Sequence, residues 1–245
     1  MGTVMFRWWV AAALACLSLT APADVLNVGF GTHKPPYIYE GERRGLEYEL
    51  IERAAQNAGF EVTVYYAPME RLHLMLRRGE IDAIATSHQR SGVKAYYSQT
   101  YIYYHNVAVA LASRGYRIEH IADLGNYSVS AFQRARLLLG PEFERMALSN
   151  PRYREEALQI NRNRLLYSGR VDVVVGDKRI LRYFNREVAD QVDVTQALSW
   201  FEIFPPTPYR VGFRLDRQRQ RFDEGLRKLR ESGEYQRIEQ RYLAD

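Results

Sequence analysis

Short apolar runs alternate with amphipathic stretches twice along this chain, and that order limits the fold more than any other feature. Val25–Phe30 is largely apolar and runs into Gly31 and Pro35-Pro36, the pattern of a buried strand and a loop. Leu46, Leu50, Ile51, Ala54, Ala55 and Ala58 recur at helical spacing, and Gly59 closes that helix. Glu61–Tyr66 is β-branched and aromatic and predicts a strand. Met69–Arg78 predicts an amphipathic helix stopped by Gly79, and Ile81–Thr86 a third strand. This βαβαβ order predicts a parallel sheet with helices packed on it.

A second set follows. Val107–Ala112, Tyr127–Ala131, Val171–Val175 and Val192–Val194 predict strands, and Gln133–Leu139 and Asp177–Asn185 helices. The tail returns to a strand at Tyr209–Phe213 and closes with helices around Phe222–Glu231 and Tyr235–Tyr242.

The first 23 residues stand apart. Arg7 precedes an apolar run, Trp8–Leu19, which is too short to span a bilayer. Ala21-Pro22-Ala23 supplies the small residues of a cleavage site, so residues 1–23 are expected to be a secretory signal peptide. Cys16 follows Ala13-Leu14-Ala15, an alternative lipid-attachment site in which Ala13 replaces the usual large aliphatic residue. Cys16 is the only cysteine, so the exported chain is expected to lack disulfides, thiol catalysis and thiolate metal sites. It must rely on its core, and a composition of 47% hydrophobic and 26% charged residues can supply one. The net charge of +5 is spread without a basic stripe, which gives no support to nucleic-acid binding.

No catalytic signature is present. His33, His73, His88, His105 and His120 are not paired at helical metal-binding spacing. Gly29-Phe30-Gly31 begins like a dinucleotide fingerprint but lacks its third glycine. No cofactor or metal is expected.

Leu26-Asn27-Val28-Gly29, Lys34-Pro35-Pro36-Tyr37, and Met69-Glu70-Arg71-Leu72 leading to Arg78-Gly79-Glu80-Ile81-Asp82-Ala83-Ile84 follow one another in the first part of the chain. Tyr97-Ser98 with Tyr101, Gly169-Arg170-Val171-Asp172 through Asp177, and Gly233-Glu234-Tyr235 through Tyr242 continue to its end. In this order and spacing the motifs resemble the family 3 periplasmic solute-binding proteins, the polar amino-acid receptors of ABC importers. The resemblance implies an α/β, two-lobed periplasmic-binding-protein fold of type II, with a ligand cleft between lobes joined by a two-crossing hinge. Lobe 1 is expected at 24–102 and 209–245, lobe 2 at 107–199, and the crossings at 103–106 and 200–208. Ligand is expected at the carboxyl ends of the strands.

The resemblance also implies site residues. Asp177 matches the acidic residue that holds a ligand ammonium, although an Asp before Lys178-Arg179-Ile180 is equally good helix-capping chemistry. Thr86 and Ser87 match ligand-binding positions at a strand end. Arg90 is the candidate carboxylate-binding arginine, with Lys94 its rival, on a loop shortened relative to the family. Ser130-Ala131-Phe132-Gln133-Arg134 replaces the usual glycine and small hydroxyl residues, so Arg134 is a candidate for supplying charge there and Phe132 for reshaping the pocket. Lys34 and Met69 stand where aromatic residues are usual, beside Tyr37 on the same wall.

These features predict a receptor that captures an amino acid or similar small polar ligand and delivers it to the membrane permease of an ABC importer. It is expected to be monomeric and periplasmic. The alternatives are an enzyme on the same fold, like the periplasmic cyclohexadienyl dehydratases, and a sensory binding protein.

Overall fold

The computed structural model describes residues 24–243, so the expected signal peptide lies outside the described residues. The first strand, β1 (Asp24–Phe30), buries Leu26, Val28 and Phe30. Helix α1 (Leu46–Asn57) follows, with Leu50, Ile51, Ala54 and Ala55 turned into the core. Strand β2 (Phe60–Tyr66), helix α2 (Met69–Arg78) and strand β3 (Ala83–Ser87) complete a βαβαβ unit in which β1 pairs in parallel with both β2 and β3. Two short strands, β4 (Tyr96–Tyr97) and β5 (Ile102–Tyr104), come next.

The second set begins with β6 (Asn106–Leu111) and β7 (Val129–Phe132). The predicted helix at 133–139 is shorter than expected: α3 covers Ala135–Leu138, because Arg134 adopts a left-handed backbone (φ 69°) and starts the helix late. Helix α4 (Pro141–Ser149), strand β8 (Tyr153–Glu156) and helix α5 (Gln159–Tyr167) were not foreseen. Their spacing is masked by charged residues, and α5 buries Arg162 and Asn163 on the face where apolar side chains are expected. Strand β9 (Val173–Asp177) runs directly into helix α6 (Lys178–Glu187).

The expected strand at 192–194 does not form. Asp193 folds back on itself, accepting from the Thr195 amide at 3.0 Å, and the local turn replaces a sheet ladder. Pairing instead falls to β10 (Leu198–Phe201), antiparallel to β6. Strand β11 (Thr207–Phe213) returns to the first sheet, and helices α7 (Asp216–Glu231) and α8 (Glu234–Leu243) follow.

The first sheet has the order β2-β1-β3-β11-β4, with β5 also paired to β11, and the second has the order β10-β6-β9-β7-β8. The chain passes between them twice. At His105, β5 gives way to β6, and the return runs from β10 to β11. The antiparallel pair of β5 and β11, with Tyr104 opposite Thr207, holds the two passages side by side.

Helix α7 lies on α1 with no room to spare. A Cβ built on Gly225 would stand 2.0 Å from the Ala54 carbonyl oxygen, a backbone atom that cannot rotate away. The apolar face of α7, Phe222, Leu226 and Leu229, is wholly buried in the same core. Gly225→Ala is therefore expected to push the helices apart and cost about 1–3 kcal/mol, the usual range for overpacking. Urea unfolding checks this; an unchanged midpoint would show that the helices have slack.

Candidate functional site

Glu47 lies in the first turn of α1, on the helical face that carries Leu50, Ile51 and Ala54, and it has no exposure to solvent. A carboxylate there must be paired and hydrogen-bonded. Oε2 forms an ion pair with Lys34 Nζ at 2.8 Å and accepts from the Tyr104 hydroxyl at 2.7 Å. Oε1 accepts from the Thr86 and Tyr101 hydroxyls. Lys34 Nζ also donates to Thr86 Oγ1 at 2.6 Å. Burial pushes the Glu47 carboxyl up, but the Lys34 ammonium and the hydroxyl donors outweigh it, so Glu47 titrates below the ordinary carboxylate value. Burial raises the Tyr101 and Tyr104 hydroxyls well above theirs, and both remain donors.

This cluster holds a strained point of backbone. Thr86 has φ 50°, a left-handed conformation that a β-branched residue rarely adopts. It sits in a bulge, for Ile84 and Ser87 on β3 oppose Gly212 and Arg210, which are only two residues apart on β11. The Thr86 amide donates to the Tyr101 hydroxyl at 2.9 Å, so both ends of the residue are held.

Across from this cluster stands Asp177, the last residue of β9 and the cap of α6. Oδ1 accepts from the amides of Arg179 and Ile180 at 2.9 and 3.2 Å. Oδ2 accepts from the His105 amide at 2.9 Å and the Tyr37 hydroxyl at 3.1 Å. Burial outweighs these bonds and raises the Asp177 carboxyl above its ordinary value. Tyr37 stacks on Tyr104 at 4.1 Å, so one ring joins the two clusters.

Between them lies a cavity with about 610 Å³ of empty space, open solvent included. Its walls are the carboxyl ends of strands from both sheets: Gly31 after β1, Pro68 after β2, Thr86 of β3, Phe132 of β7, Ala157 after β8 and Asp177 of β9. Lys34, Met69, Tyr104, Asn106, Gln159 and Arg162 complete much of the lining.

Of the sequence-stated candidates, Asp177, Thr86 and Met69 line this cavity, and Tyr37 touches Asp177 at its edge. The Thr86 hydroxyl is already engaged with Glu47 and Lys34. Ser87 is buried and donates to Ser91 Oγ at 2.9 Å, outside the lining. Arg90 also lies outside it: on an exposed turn, its Nη2 meets Glu144 at 3.1 Å and its Nε donates to the Leu137 carbonyl. Arg134 pairs with Glu70 at 2.5 Å and donates to the Ser91 carbonyl, and it lies outside the lining. Phe132 lines the cavity. Sequence reading missed Glu47 and Arg162; the signal for each is a charge at helical spacing from buried apolar residues, Leu50 and Ile51 for one and Leu166 for the other.

The chain matches the bacterial extracellular solute-binding proteins, family 3, over residues 26–245. It belongs to that family. The probable histidine-binding protein of Neisseria gonorrhoeae is 24% identical over 277 residues, covering 96% of this chain and 95% of that one. The membrane-bound lytic murein transglycosylase F of Idiomarina loihiensis is 33% identical over 81 residues, but the match spans only 32% of this chain and 18% of that protein. Among solved structures, a histidine kinase sensor domain with similarity to periplasmic binding proteins aligns with TM-score 0.75 at 20% identity, over 91% of this chain and 97% of that one. The arginine-, lysine-, histidine-binding protein ArtJ of Geobacillus stearothermophilus aligns with TM-score 0.73 at 17% identity, over 91% and 96%. These likenesses show that the two-sheet fold is the periplasmic-binding-protein fold.

Glu47→Gln is expected to leave Lys34 buried without its counter-charge and to cost about 3–5 kcal/mol at neutral pH. The Glu47 carboxyl is depressed in the folded protein, so its contribution is full above the ordinary carboxylate value of 4.5 and is lost as pH falls through the folded value. The stability gap between wild type and Glu47→Gln, from urea unfolding, should therefore narrow on acidification. A gap that widens would assign the cost to something other than this charge.

Proposed function

We propose that this protein is a periplasmic receptor that closes on an amino acid or similar small polar ligand and delivers it to the permease of an ABC importer. One observation carries the reading: the cavity takes buried charged and polar walls from both sheets, Lys34 and Thr86 on one side and Asp177 and Asn106 on the other. A ligand there is desolvated by both halves at once, which links binding to their approach. The family membership and the relatives named for histidine and arginine binding support an amino-acid ligand. Among the described residues no helix is long and apolar enough to cross a membrane.

In this reading an ammonium group reaches Asp177 by taking the place of the Tyr37 hydroxyl on Oδ2, the one bond to that carboxylate made by a side chain. Arg90 takes no part in binding, because it is exposed and already paired with Glu144.

Addition of ligand at about 100-fold above its Kd should stabilise the chain by about 2.7 kcal/mol, read as a rise in Tm. Small-angle scattering should show a smaller radius of gyration with the same ligand. A panel of amino acids that moves neither quantity overturns the receptor reading. Arg90→Gln should leave ligand affinity within about 0.5 kcal/mol of wild type, as exposed substitutions usually do. A larger loss by calorimetry would return Arg90 to the site.

A further inference from the structure

Arg162 projects from α5 on the face that carries Leu166 and is completely buried. A guanidinium presents five donors, and a buried one needs acceptors for them. Here Nη2 donates to Gln159 Oε1 one turn away, while Nε and Nη1 have no partner among the described residues. The carboxylates whose charge reaches it are Glu156 and Asp177. Glu156 pairs with Arg154 and accepts from Asn161, and the four bonds to Asp177 leave neither oxygen free for it. Burial pushes the Arg162 pKa down to about 10, which still leaves it charged at neutral pH.

The surroundings are arranged around this unmet charge. Arg162 borders the cavity, beside Gln159 and close to the ring of Phe132. Gly176 on β9 makes room for it, since a Cβ there would lie 3.0 Å from Nη2. On the facing wall, Lys34 uses its donors on Glu47 and Thr86 and leaves a third for the cavity. The two buried acids of the site, Glu47 and Asp177, have their oxygens filled. Among the described residues the cavity thus offers spare cationic donors, while its one carboxylate open to a ligand ammonium is Asp177, through displacement of the Tyr37 hydroxyl.

We propose that Arg162 is the anion-binding residue of this receptor, and that its ligand carries a carboxylate and no net positive charge: an acidic or neutral amino acid, or a small organic acid. The inference rests on the receptor reading and deepens it. The ligand carboxylate supplies the acceptors that the folded chain withholds from Arg162. A cationic amino acid would bring two positive charges beside the guanidinium, and Asp177 can meet only one of them.

Calorimetry and thermal shift on the mature protein test this with L-glutamate, succinate, L-glutamine, L-arginine and L-lysine. Glutamate, succinate or glutamine should bind more tightly than either cation. Arg162→Met should weaken the tightest of them at least ~30-fold, as truncating one partner of a buried charge pair does. Arg162→Lys should retain part of the affinity. Without ligand, Arg162→Met should melt above wild type, because it removes a buried charge that lacks partners. Tightest binding of L-arginine or L-lysine overturns the ligand class and leaves the receptor reading standing. So does unchanged affinity in Arg162→Met for the role of Arg162, and a lowered melting temperature in that variant would mark the residue as structural. No binding by any of the five overturns both.

Discussion

A carboxylate with no access to water ties the first half of this protein together. Glu47 enters from the first turn of α1, Lys34 from the loop after β1, Thr86 from the bulge of β3, and Tyr101 and Tyr104 from the approach to the second sheet. Each group satisfies another, so the loop after β1 and the bulge of β3 cannot move independently. A buried ion pair of this kind contributes little net stability, because desolvation offsets most of the attraction, but breaking it is expensive. Its consequence is positional. The hydroxyl network fixes Thr86 in a left-handed backbone and sets Lys34 at the cavity wall.

The second sheet answers with Asp177, whose oxygens tie β9 to the amides that open α6 and to the crossing at His105. Its bond to the Tyr37 hydroxyl and the stacking of Tyr37 on Tyr104 join the two networks through aromatic rings. Away from the cavity lining, Arg134 with Glu70 and Arg90 with Glu144 reach across between segments of the two sets. An exposed pair such as Arg90 with Glu144 is worth about 0–1 kcal/mol, an amount that a bound ligand can readily outweigh. Buried bonds thus fix each wall, and more exposed pairs run between them.

Much of the scaffold was legible in the sequence because period and punctuation both pointed the same way. Met69–Arg78 was read with the bounds the structure shows, since its apolar stripe is clear and Gly79 closes it. The run at Val192–Val194 misled because three residues cannot outvote an Asp that turns the chain locally. The stretch from Pro141 to Tyr167 was silent because its helices and strand bury few apolar residues and carry many charges.

For the site, the sequence by itself determined which segments end where ligands bind: strand order placed Gly31, Thr86 and Asp177 at carboxyl ends, and resemblance gave those ends a family. It also determined that Asp177 caps a helix, since capping depends only on neighbours a few residues away. Partnership was decided by the tertiary structure alone. Arg90 and Arg162 are equally plausible cations on paper, yet one meets Glu144 at the surface and the other lies buried with donors to spare. The charge that matters in a cleft is the one its own fold leaves unanswered, and that depends on distances between residues far apart in the chain.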